Sequence, residues 1–212
     1  QAEQMIGGVA LTGDDRITLA DTAANLQDLA PSEITALANA GVDFFDATGA
    51  TANNPITLTY AQAAALGAIV VDAGDTLTVT CSSAELASAN ITALKASGVD
   101  ILKSSDAGHL LSLTVATYRA LVTAGVALTG GDQITLSDTA ANLQGLSVSE
   151  ITALDAAGVD AFDATGATAN NPITLTYAQA AALGAIVVDA GDTLTVTCSS
   201  AELASANITA LK

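Results

Sequence analysis

Aromatic side chains make up only 3% of this 212-residue sequence, and tryptophan is absent. A core must therefore be assembled from Ile, Leu, Val and Ala, which suits thin, regular layers better than one large globule. Basic residues are as scarce: five Lys and Arg stand against 22 Asp and Glu, a formal net charge of -17. That balance argues against electrostatic binding of a phosphate backbone or an anionic membrane, and makes cations the natural partners. One histidine, His109, and two cysteines, Cys81 and Cys198, are too few and too scattered for a zinc site. The cysteines occupy the same position in two repeats and read as small buried hydrophobes rather than a bridge. No apolar run approaches the roughly 20 residues needed to span a bilayer, and no signal peptide is legible.

What the sequence does contain is itself, twice. Residues 8–95 recur as 125–212, and from Phe45 to Lys95 the second copy, Phe162 to Lys212, is letter for letter the same. Such a chain is read as an array whose units bury apolar faces against their neighbours. The stretch Ile56 to Ala84 shows the program. Ile56 and Leu58 alternate with Thr57 and Thr59 as in a half-buried strand, Ala61 to Leu66 is helix-forming, and Ile69 to Val71 is extended. Asp72-Ala73-Gly74-Asp75 supplies turn chemistry before Leu77, Val79 and Cys81 resume the alternation. Asp21 is a candidate N-cap, Pro31 fits the first turn of a helix that Gly41 ends, and Ser82 with Glu85 fits a capping box.

Equivalent starts fall at Ile17, Ile56, Leu77, Leu111, Ile134, Ile173 and Leu194. Parallel strands joined by helical crossovers, right-handed in nearly all cases, predict an α/β fold. The expected form is a right-handed parallel β-α solenoid of about seven stacked coils, like leucine-rich repeats in architecture, with one ladder of start strands and one of return strands. Its organisation is expected to be a partial N-terminal coil at 1–16, a first four-coil repeat at 17–133 and a truncated second repeat at 134–212, forming one body. The return strand Val9 to Thr12 at one end and the helix running to Lys212 at the other carry no obvious polar cap. That pattern fits an excerpt of a longer array or head-to-tail stacking of copies.

The segments ITLADTAANLQDL, GVDFFDAT and ITLTYAQAAALG resemble strand-and-helix repeats of very large secreted or surface proteins of cyanobacteria and proteobacteria, some RTX-type or adhesin-like. The resemblance covers essentially the whole chain and implies an extended extracellular scaffold or adhesive stalk. The GGxGxD nonapeptide that binds calcium in true RTX repeats is absent, so that ligand chemistry does not carry over.

Three chemistries present themselves. Thr57, Thr59, Thr78, Thr80, Thr174, Thr176, Thr195 and Thr197 lie on the strand face opposite the apolar residues, and stacking would space their hydroxyls about 4.8 Å apart. Such rows are either an ice- or carbohydrate-binding array or simply favoured residues on exposed strands. Asp72 and Asp75, repeated as Asp189 and Asp192, flank a Gly turn; they are either calcium ligands or ordinary turn residues. Catalysis is poorly supported, since His109 reads as a solvated loop residue and no serine sits in a nucleophile elbow. The Asn90-Ile91-Thr92 and Asn207-Ile208-Thr209 tripeptides match a glycosylation signal by accident of composition. The expectation is a non-enzymatic repeat segment at the cell surface or outside the cell: a spacer, surface-layer or filament component, or adhesive stalk. Its partners would be neighbouring copies or adjacent repeats, with calcium as the one cofactor to test.

Overall fold

A computed structural model describes residues 15–49, 55–166 and 172–205. The return strand expected at Val9 to Thr12, the second tripeptide at Asn207 and the helix end at Lys212 lie outside them. The chain divides into two compact units, Gln1–Ser105 with Ala120–Thr129, and Asp106–Arg119 with Gly130–Lys212.

The first unit contains strands β1 (Thr18–Thr22), β2 (Phe44–Thr48), β3 (Ile56–Thr59), β4 (Val70–Val71), β5 (Leu77–Cys81), β6 (Val99–Ser104) and β8 (Ala127–Leu128). They form two parallel sheets, ordered β1-β2-β4 and β3-β5-β6-β8. The second unit contains β7 (Leu110–Leu113), β9 (Gln133–Thr139), β10 (Val159–Thr165), β11 (Ile173–Thr176), β12 (Val187–Val188) and β13 (Leu194–Thr197), paired as β12-β10-β9-β7 and β11-β13. Short helices make the crossovers that parallel pairing requires. Where the sequence suggests one helix from Ser82 to Leu94, there are two, Ser83–Ser88 and Ile91–Ala96, broken at Ala89 and Asn90. None of the described helices is long and apolar enough to cross a membrane.

The continuous solenoid is not what forms. The architecture is mixed α/β, with several small, separate parallel sheets and, among the described residues, ten α-helices. Start strands and return strands do not segregate into two ladders. Strand β1 pairs with the return strand β2, while β5 has the start strand β3 on one side and the return strand β6 on the other. The physical reason is an aspartate at the head of the return strands that accepts an N–H at the head of the start strand, Asp43 from Ile17, Asp100 from Leu77 and Asp160 from Ile134. The last two sit on a bulge, a rare feature between parallel strands. Asp160 is skipped in the register that joins Val159 to Ile134 and Ala161 to Thr135, and Asp100 is skipped in the same way between Val99 and Ile101. The extra residue turns its carboxylate back onto the neighbouring start strand, so the two strand types fit side by side.

Both units bury aliphatic layers around one phenylalanine each, Phe45 and Phe162, both essentially solvent-free. Capping sets the helix starts. Thr22 rather than Asp21 is the N-cap of Ala23–Gln27, and Asp21 instead receives the Thr22 N–H. Pro31 opens Pro31–Asn39, which Gly41 stops at a φ of 86° that a side chain would resist. Arg16 stacks 3.8 Å over Phe44, and the second copy replaces both partners together, with Gln133 and Ala161.

Candidate functional site

Within each unit the threonines are brought together in pairs. Thr57 sits opposite Thr78 and Thr59 opposite Thr80, and the second copy repeats this with Thr174 opposite Thr195 and Thr176 opposite Thr197. Half of these hydroxyls are already engaged. Thr59 Oγ1 accepts the Gln62 N–H at 3.3 Å and caps the helix Tyr60–Ala65, and Thr176 does the same for Gln179. Thr80 donates to the Leu58 carbonyl and Thr197 to the Leu175 carbonyl, both at 3.3 Å. Thr78 is buried, Thr57 and Thr174 are half-buried, and Thr195 is exposed. The capping threonines Thr59 and Thr176 are at exposed positions.

The four turn aspartates are equally occupied. Asp72 Oδ1 receives the Gly74 N–H at 2.9 Å, closing the turn, and Asp189 receives Gly191 likewise. Asp75 reaches across to the Ala47 N–H at 2.7 Å, and Asp192 to the Ala164 N–H at 2.6 Å. These belong to a wider system. Asp43 caps the Ile17 N–H, Asp100 that of Leu77, Asp138 that of Val115, Asp160 that of Ile134 and Asp155 that of Ala185. Each bond closes over 23 to 30 residues of chain. The acidity of the sequence thus has a structural use: carboxylates satisfy strand, turn and helix-start N–H groups that the regular backbone bonding leaves over. Among the described residues no three His, Cys, Asp or Glu side chains gather as a metal would need.

Sequence reasoning missed this system, and it missed Gln62 and Gln179. Gln62 Oε1 accepts the Thr59 N–H while its Nε2 donates to the carbonyls of Gln27 and Leu29, both at 2.7 Å. Gln179 repeats the arrangement onto Gln144 and Leu146. The Thr-x-x-Gln spacing was a legible signal for the cap, but not for the reach to a distant carbonyl. Asn90, the first residue of the tripeptide, is an N-cap that receives the Ala93 N–H. His109 is exposed, at a positive φ of 57°, with Nδ1 3.7 Å from the buried Asp132 carboxylate.

One carboxylate titrates far from its ordinary range. The Arg119 guanidinium, hydrogen-bonded at 2.8 Å, together with the Ser147 N–H and hydroxyl, pulls Glu150 down to about 2. Asp21 is lowered by the Asn25 amide and the Thr22 N–H. In Asp138, burial pushes upward but hydrogen bonds from Asn142, Thr139 and Val115 outweigh it, and the net direction is down. A depressed folded-state value stabilises above the unfolded value and is lost as pH falls through the folded one. The melting temperature of Glu150→Gln should therefore lie below that of the parent at pH 7, and the gap should close between about pH 4.5 and 2. The gap is small, because the pair is largely exposed and screened by salt. A gap that is constant down to pH 2 would show that the charge is irrelevant there.

No protein-family model matches the chain, and no curated protein matches it. What the protein does is therefore read from its own side chains.

Proposed function

We propose that the chain is non-enzymatic structural repeat material of a bacterial cell-surface or secreted protein, serving as a spacer or adhesive stalk. One observation supports this reading: in both copies, the four turn carboxylates and half of the candidate threonine hydroxyls are bonded to equivalent backbone groups of the fold itself. A catalytic centre needs groups held ready for a substrate, whereas here the repeated polar side chains hold the chain. Identical copies also suit mechanical or multivalent work better than a single reaction.

Two experiments test it. Antibody labelling of intact cells of the source organism should detect the protein, and treatment of those cells with a protease should remove it; a signal that emerges only on lysis would refute the surface location. Ice-shaping and glycan-array assays should be negative. A specific signal abolished by Thr57→Tyr with Thr174→Tyr would instead establish the threonine pairs as a binding face.

A further inference from the structure

The turn carboxylates and capping threonines of both copies engage the backbone. Three polar side chains of the first unit do not follow that rule, and they meet at one place. Between the helices Tyr60–Ala65 and Ile91–Ala96 lies a cleft of about 230 Å³. Ala63, Ala64, Ala93 and Leu94 give it short, apolar walls.

Ser97, Tyr60 and Asn90 also line it. Ser97 is only 6% exposed; its N–H donates to the Ala93 carbonyl and its carbonyl accepts the Val71 N–H, but its hydroxyl makes no hydrogen bond to any described residue. A hydroxyl so deeply placed is ordinarily bonded, because an unmet one is costly. Nor does the helix end call for serine. The equivalent residues before Gly41 and Gly158 are alanines, Ala40 and Ala157, and both end their helices in the same way. The half-buried Tyr60 phenol is likewise unbonded among the described residues. Asn90 turns its Oδ1 to the Ala93 N–H at 3.0 Å, which leaves its amide N–H groups as donors.

These groups define what fits. Among the described residues no charged side chain lines the cleft, so nothing there offsets the desolvation of an ion. A sugar ring carries a hydroxyl on nearly every carbon and would bury more polar groups than three side chains can pair. At about 30 Å³ per water the space equals roughly seven or eight waters, enough for one ring and a small substituent. A flat ring stacks on a tyrosine, and a single oxygen on it meets the Ser97 and Asn90 donors.

We propose that this cleft binds an uncharged monocyclic aromatic compound bearing a carbonyl or hydroxyl group, stacked on Tyr60 and hydrogen-bonded to Ser97 and Asn90. The inference goes beyond the structural role above and does not rest on it.

The test adds benzamide to the full chain and follows binding by saturation-transfer NMR and calorimetry. A dissociation constant of about 1 mM is expected, the order attainable by so small a ligand. Ser97→Ala should weaken binding at least about fivefold, through the lost hydrogen bond. Ala93→Leu, at an exposed helix position, fills the cleft and should abolish binding with circular dichroism unchanged. Benzoate, the same ring with a charge, should bind at least about tenfold more weakly than benzamide. No saturable binding up to about 20 mM would overturn the proposal, since even a poor fit of this size reaches that range. So would benzamide binding that neither substitution changes, or benzoate binding as tightly as benzamide.

Discussion

Leu77→Ala should cost about 3 kcal/mol in guanidinium unfolding, whereas Leu194→Ala, the same substitution in the same local sequence, should cost about 1 kcal/mol. Leu77 is 0% exposed between β3 and β6, so truncation leaves a cavity that its packed neighbours cannot collapse into. Leu194 is half-buried beside an existing cavity, so its truncation mainly loses part of a transfer term. Local propensity cancels in this comparison, because Phe45 to Lys95 and Phe162 to Lys212 are identical in sequence. Equal costs would show that β13 is covered as fully as β5.

The second large effect belongs to the bulge aspartates. Asp160→Ala should destabilise by about 2 kcal/mol, because it strips a charged acceptor from the N–H of Ile134, a residue with no exposed surface. Asp160→Asn keeps an acceptor oxygen without the charge and should cost about half as much, on the order of 1 kcal/mol. An internal control is available in Asp155→Ala. Asp155 caps the exposed Ala185 N–H, and the first copy carries alanine, Ala38, at the equivalent position. That substitution should change stability by less than about 0.5 kcal/mol. If all three variants behaved alike, the long-range carboxylate bonds would be incidental.

The comparison of sequence with structure follows from range. Features decided within a few residues were legible: Pro31 at a helix start, Gly41 at a helix stop, Ser82 with Glu85 as a capping box, and Leu77, Val79 and Cys81 on the apolar face of a strand. Features decided over 20 or more residues were not. Asp75 and Gly74 read as turn residues, and the Asp72 turn exists, but nothing nearby says that Asp75 also reaches Ala47. Thr59 and Thr176 read as strand residues and are the last residues of β3 and β11, but alternation gave no sign that each also serves as the N-cap of the helix that follows. The solenoid reading failed for a related reason. It paired like with like along the repeat, whereas the aspartate of the Gly-Val-Asp segment seats a return strand beside a start strand. The acidity that suggested calcium comes in large part from carboxylates placed on backbone N–H groups.

The central claim is that equivalent residues of two identical stretches differ in cover, Leu77, Val79 and Cys81 being buried and Leu194, Val196 and Cys198 not. Counting reactive thiols with a chromogenic disulfide reagent tests it most directly, because Cys81 and Cys198 have identical sequence neighbours and are respectively buried and exposed. The account predicts one fast thiol in the folded protein and two after denaturation, with the fast one lost in Cys198→Ser and kept in Cys81→Ser. Two thiols of equal rate in the folded protein, or a fast thiol that survives Cys198→Ser, would contradict it.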